Sequence, residues 1–258
     1  MPIINKTFVG IDPSGGRHTF TFAALDEDCQ LVTLASGELE ELLAFLKGLK
    51  ATVTAVNAPH STNQGLVRRM MEEKDSIPGH LRGSDLRMAE YKLRERGISI
   101  SPTPSRTEAC AAWMQTGFNL YKQLEDAGYK PYPSEDAVNQ WMETQPHAAF
   151  CALIGQNLLP KPTLEGRLQR QLALYERGIN INDPMSYFEE ITRHRLLKGI
   201  LPTESIYSAE ELDALVAAFA AYLASNHPEE VNWVGDIQEG RIFLPVSEIR
   251  HEISKTGS

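Results

Sequence analysis

The chain reads as an α/β protein organised around a mixed sheet. Three observations carry that reading: three short strand-like runs before the first helix, a leucine repeat at helical spacing after them, and a buried apolar run directly after that helix. Thr7 to Ile11 is short, apolar and rich in β-branched residues, and Asp12-Pro13-Ser14-Gly15-Gly16 then supplies turn chemistry before the alternating run His18 to Leu25. These two runs predict a hairpin. Asp26-Glu27-Asp28 leads into a third alternating run, Cys29 to Ala35. The segment Glu38 to Lys50 carries Leu39, Leu42, Leu43, Leu46 and Leu49, which fall on one helical face. Thr52 to Asn57 is a continuous strand stopped at Ala58-Pro59, because proline cannot donate to a sheet ladder. A buried strand straight after a helix predicts parallel pairing with an earlier strand.

Beyond Ser61 the composition turns helical. Leu66 to Lys74, Ser84 to Arg96 and Glu108 to Ala127 are expected helices, with Gly97 to Ile100 and Tyr129 to Tyr132 as short strands between breakers. Pro146 to Gly155, Thr163 to Arg177, Pro184 to Lys198 and Ser208 to Ser225 continue the helical pattern. Val231 to Asp236 and Arg241 to Val246 flank Gln238-Glu239-Gly240 and predict a terminal hairpin. No internal repeat or low-complexity linker divides the chain. The expected organisation is one elaborated domain over 1–258: a core of about 6–130 plus the 205–225 helix, a helical insertion of about 135–200, and the hairpin at 231–246.

Composition narrows the function. The 258 residues are 42% hydrophobic and 23% charged, which supports a sizeable core and excludes disordered and collagen-like chains. Cys29, Cys110 and Cys151 form no CxxC pair, which argues for a reducing, cytoplasmic setting and against a zinc knuckle. No window approaches the roughly 18 apolar residues of a membrane span, and the first residues lack a signal-peptide pattern. The expectation is a protein neither secreted nor membrane-bound, of open oligomeric state. The net charge of -9 repels phosphate backbones, so a nucleic-acid partner requires a local basic surface or bridging cations.

Asp12, at a strand end before a Gly-rich turn, is placed to face a crevice; the plainer role is an Asx-type cap of its own turn. Asp213 follows a capping box of Ser208 and Glu211 and shares a small apolar face with Ala217, Ala220 and Ala224. A helix with such a face packs closely on a sheet, and a carboxylate carried there requires a partner or a cation. The plainer role is complementing the helix dipole together with Glu210 and Glu211. Between Arg68 and Arg106 nine Lys or Arg face six Asp or Glu, reversing the sign of the whole chain around Arg82-Gly83-Ser84-Asp85-Leu86-Arg87. That stretch is the best local phosphate anchor, although Arg68-Arg69 with Glu72-Glu73 and Glu90 with Arg94 also read as ordinary helix ion pairs. Lys161 to Arg167, with Arg170, is a second basic cluster. The seven histidines are dispersed with no HxxxH pattern, and neither GxSxG nor GxxxxGK[ST] occurs. Trp113, Phe118 and Tyr121 fall at helical spacing, as core residues do.

With these motifs in place, the sequence resembles domain-of-unknown-function family 429, whose members are predicted nucleases of the RNase H-like fold. The stretches that carry the resemblance are Val9 to Gly16, Ala55-Val56-Asn57-Ala58-Pro59, Arg82 to Arg87, Lys161 to Arg167 and Leu212 to Ala218, spread over most of the chain. The resemblance implies a mixed five-stranded RNase H-like sheet with flanking helices, helical insertions and the C-terminal hairpin. It further implies a carboxylate site for Mg²⁺ or Mn²⁺ that cleaves phosphodiester bonds. Asp12, Asp85 and Asp213 would be the catalytic metal ligands, and Ser14, Gly15, Asn57, Arg82, Arg87, Lys161 and Arg167 the substrate contacts. Two positions depart from the family pattern. Asn57 stands where relatives commonly show Asp before Ala-Pro, and Lys130 where they tend to carry an acid before a Tyr-Pro pair.

The expected function is thus a metal-dependent nuclease or phosphodiesterase acting on DNA or RNA. The alternatives are a catalytically degenerate RNase H-like binding module, motivated by Asn57 and Lys130, and an ATP-binding protein of the actin and sugar-kinase type. The Gly-Ile-Asp-Pro-Ser-Gly-Gly hairpin also resembles the first phosphate loop of that superfamily, which ordinarily needs a second such loop that this chain lacks.

Overall fold

A computed structural model describes residues 6–13, 19–73 and 83–250. Its framework is an eight-stranded mixed sheet of order β3-β2-β1-β4-β6-β8-β7, with β5 also on β6. β1 (Thr7–Asp12), β2 (Phe20–Leu25) and β3 (Leu31–Gly37) form the expected antiparallel meander. Helix α1 (Leu39–Lys47) then crosses over and returns the chain as β4 (Thr52–Val56), parallel to β1. The helix buries Leu42 and Leu46, two members of the leucine repeat. α2 (Leu66–Glu73), α3 (Met88–Glu95) and α4 (Ala112–Asp126) follow, within one turn or so of the helices read from the sequence.

The continuation departs from expectation. Gly97 to Ile100 is not a strand; Ile98 and Ile100 are buried from irregular backbone. Tyr129 to Tyr132 reduces to the two-residue β5 (Lys130–Pro131). The fifth principal strand is β6 (Asn139–Thr144), parallel to β4, which the periodicity did not reveal. α5 (Pro146–Ile154) and α6 (Leu164–Tyr175) follow, and the expected 184–198 helix is split into α7 (Ser186–Glu190) and α8 (Arg193–Leu197). The terminal hairpin, β7 (Asn232–Asp236) and β8 (Gly240–Leu244), does not stand apart. Its second strand pairs parallel to β6, so the sheet has eight strands and not five.

The sheet carries helices on both faces. Val9, Ile11, Val56 and Trp141 pack with α1 and α4 on one side. Phe8, Val53, Ala55 and Met142 pack against α9 (Ala209–Asn226) and α5 on the other. Every residue from Leu212 to Ala221 of α9 is buried, so this helix lies inside the protein and not on its surface. Burying each of Leu212, Leu215, Val216 and Phe219 contributes roughly 2 kcal/mol. None of the described helices is long and apolar enough to cross a membrane.

The closest approach in this packing fixes the site. A Cβ built on Gly10 would lie 2.0 Å from the Ala214 carbonyl oxygen and 2.2 Å from the Ala218 nitrogen. Backbone meets backbone there because glycine on β1 faces alanines on α9. Gly10→Ala is therefore expected to destabilise the protein by about 3 kcal/mol, measured as a lower urea midpoint; an unchanged midpoint would show that α9 is not seated as described. The same contact brings Asp12, two residues further along the same strand face, toward Asp213 at the start of the buried part of α9.

Candidate functional site

The site lies at the C-terminal ends of the parallel strands β1, β4 and β6, where open α/β sheets present ligands most often. Asp12 closes β1 and is buried at 1% exposure. Asn57, the first residue past β4, donates from Nδ2 to Asp12 Oδ1 at 2.8 Å. The capping box read from the sequence is present: Ser208 Oγ accepts from the Glu211 N–H, and the Glu211 carboxylate accepts from the Ser208 N–H. That cap starts α9 so that Asp213 falls in its second turn, on the sheet side, 5% exposed.

From the segment between α5 and α6, Lys161 reaches back and donates from Nζ to Asp213 Oδ2 at 2.6 Å. Thr163 caps the following α6, and Gly166 passes so close to Pro160 that an added Cβ would sit 2.0 Å from its carbonyl oxygen. The turn is therefore tight, and it holds Lys161 and Arg170 against the cleft. Arg170 is buried, donates to the Leu159 and Gly166 carbonyls, and lies over the Phe150 ring. Asn57, Trp113, Gln145, His147, Lys161, Arg170 and Asp213 line a cleft of about 220 Å³. A smaller cavity of about 60 Å³ shares Asn57, Trp113 and Gln145 with it.

Electrostatics tie these groups together. Burial pushes the Asp213 carboxyl up to about 7; Lys161 and Arg170 oppose that shift, and the nearby Asp12 charge adds to it. Lys161 is raised: burial opposes its charge, and Asp213, Asp12 and Glu210 outweigh the burial. His147 is lowered by burial and by Arg170 and Lys161, which keeps its imidazole neutral around neutrality. Burial raises Cys151, 3.7 Å from His147, to about 11, which disfavours the thiolate.

Not every expected residue joins the cleft. Asp85 is exposed and lines a separate groove with Asn63, Arg68 and Ser105, because the chain turns Leu86 and Arg87 inward and leaves Asp85 outside. Arg87 is a correction. It is 2% exposed, with four of its five donors used: Nε to Glu90, Nη1 to Glu143 and to the Glu239 carbonyl, and Nη2 to Glu143. A guanidinium so enclosed holds α3 to β6 and the terminal hairpin and is closed to a phosphate. Arg167 has a buried, unpartnered Nε, and Arg170, one turn further along α6, takes its expected place at the cleft. Ser14, Gly15 and Arg82 lie outside the described residues.

Glu143, Arg170, Gln145, His147 and Trp113 acquire their places only in three dimensions. Glu143, next to last in β6, pairs beside Val56 on the face opposite Asp12, where it accepts from Arg87 and from the His60 N–H. Lys130 sits exposed on β5, so the position ahead of Tyr132-Pro133 does not belong to the site. Among the described residues, His227, Glu229 and Glu230, at the far end of α9, form a cluster of metal-ligand type. Among the described residues, no third carboxylate joins Asp12 and Asp213 in a cluster of that kind.

The family model described as "Protein of unknown function (DUF429)" matches residues 10–239. The chain belongs to the DUF429 family. The matched span opens at Gly10, two residues before Asp12, and closes at Glu239, so it contains both acids, Lys161 and the whole Arg87 network. No curated protein and no solved structure matches this DUF429 chain.

Proposed function

We propose that this protein is an RNase H-like phosphodiesterase that acts on nucleic acid. The single observation behind the reading is the meeting of Asp12 from β1 and Asp213 from α9 beside two cations, Lys161 and Arg170, at the carboxyl rim of parallel strands. The strand order β3-β2-β1-β4-β6 with a buried helix across β1 agrees with that reading. Two carboxylates and the Asn57 amide suit one hydrated Mg²⁺ or Mn²⁺, an ion commonly held by one or two carboxylates together with substrate phosphate; they are too few for two ions. When bound, such an ion supplies Lewis-acid stabilisation of a phosphoryl oxygen and a more acidic water.

The chain's own residues do the remainder. Lys161 and Arg170 draw an anionic group into a cleft whose protein carries net negative charge, and so confine attraction to this spot. Asn57 and Gln145 offer amide donors to orient it. Asp213, with a carboxyl raised to about 7, holds its proton when no ion is bound and gives it up to ligate one, so ion binding strengthens as pH rises through that range. Trp113 supplies an apolar wall against which a base or sugar rests.

A second reading is favoured by one contact. The Lys161 ammonium already pairs with Asp213 at 2.6 Å, as an internal cation would in a binding module that needs no metal. Titration calorimetry with Mn²⁺ separates the two. The enzyme reading expects saturable heat that Asp12→Asn abolishes, at least about tenfold tighter binding in Lys161→Met, and cleavage of some strand, junction or hybrid. Absence of heat in both the wild type and Lys161→Met would leave the metal-free binding module as the function.

A further inference from the structure

We infer that the α7–α8 arm is a homodimerisation element, each copy laying its arm antiparallel against that of a second copy. The arm is closed at its base. Ser186 Oγ and Ser205 Oγ meet at 3.4 Å, and Gln171 Nε2 donates at 2.8 Å to both the Asn182 and Ser205 carbonyls. Buried Tyr187 and Pro202 mark the two points where the chain leaves and re-enters the body. Between them, from Phe188 to Leu201, no residue is buried.

The composition of this excursion is unlike that of an exposed loop. Among the described residues, six of the twelve exposed large hydrophobic side chains lie on it or beside it: Met185, Phe188, Leu196, Leu197, Ile200 and Leu201. Leu197 alone is 83% exposed. Scattered exposed apolar residues are ordinary, but six of them concentrated in one segment of seventeen residues, 185–201, mark a contact surface. α7 and α8 have five residues each, far below the roughly 12–15 at which a helix persists in water without packing. Their helicity therefore calls for a surface to lie against.

Charge selects a second copy as that surface. α7 ends in Glu189-Glu190, and α8 and the residue after it carry Arg193, Arg195 and Lys198. One pair, Arg195 with Glu190 at 3.3 Å, is satisfied within the chain. In an isologous two-fold contact the acidic end of one arm meets the basic end of the other, so Glu189 of one copy faces Arg193 or Lys198 of the partner subunit, with the leucines and isoleucine closed between them. A polyanion or an anionic membrane suits the arm less well. Apolar residues outnumber its cations, two of its charges are acidic, and the whole chain repels such surfaces with a net charge of -9.

The test is sedimentation velocity on the full chain from about 1 to 100 µM, beside the double variant Leu197→Glu with Ile200→Glu. Both positions are exposed, so the variant retains its core, checked by an unchanged near-UV spectrum and melting temperature. The expected result is a wild-type dimer and a variant whose dissociation constant rises at least about 100-fold. A wild type that is monomeric throughout, or a dimer that survives in the variant, would overturn the proposal. A monomeric wild type that cosediments with phosphatidylserine vesicles or with single-stranded DNA, while the variant does not, would overturn it in favour of that partner.

Discussion

Arg87→Ala is expected to lower the stability of the fold by about 3–5 kcal/mol, the loss typical when one member of a buried charge pair is removed. For a chain of this length that is a fall of roughly 10 °C or more in melting temperature. The reason is the company the guanidinium keeps. Glu143 is 3% exposed and Glu90 2%, and the Arg87 side chain is the cationic partner of both. Glu90 also accepts from the Thr103 hydroxyl and N–H, and Glu239 accepts from the N–H groups of Gln64, Leu66 and Met88. Without Arg87 two carboxylates are left in a low-dielectric interior with hydrogen bonds but no countercharge. Arg87→Lys distinguishes this from a phosphate-binding role. A lysine keeps the charge but not the fork, so it too is expected to destabilise clearly. If Arg87→Lys melts like the wild type and weakens only substrate binding, the network account is wrong. Thermal melts of both variants decide it.

Arg87 also shows what the sequence could and could not disclose. The meander, α1 and β4 were legible because their signals are local: alternation, a leucine repeat and a proline stop all lie within the element they define. Asp12 and Asp213 were legible for the same reason, one at a strand end before a turn and the other just past a capping box. β6 was hidden because four of its six residues are polar. Gln140, Glu143 and Thr144 are buried; Gln140 is held by neighbouring Ser134 and Ala137, but Glu143 and Thr144 depend on His60, Arg87 and the Phe243 carbonyl, partners the chain brings from far away. The same distance misled the reading of Arg87. A cluster of arginines looks like a surface until the acids that enclose one of them, 56 positions away in the case of Glu143, are known. Lys161 reads from the sequence only as part of a basic cluster; that it pairs with Asp213, 52 positions away, is a property of the fold.

Asp213→Asn is expected to stabilise the protein at alkaline pH while removing function. The folded Asp213 carboxyl is raised from 3.8 to about 7. Between those values the unfolded chain has released this proton and the folded chain retains it. Folding then takes up a proton, and the contribution of this group is fully present below pH 3.8 and lost as pH rises through about 7. Above that range the native state carries an ionised, buried carboxylate beside Asp12, which Lys161 offsets only in part because its own side chain is 39% exposed. Asparagine keeps the shape, an oxygen for Lys161 to donate to, and no charge. The variant is therefore expected to gain on the order of 3 kcal/mol at about pH 8 and little at about pH 4, read from urea unfolding at the two values. Equal shifts at both pH values would mean that Asp213 is not held in this state. A buried acid whose ionised form weakens the fold is retained for chemistry more readily than for structure. The same variant should lose Mn²⁺ heat and any cleavage together, so that stability and activity move in opposite directions at one residue.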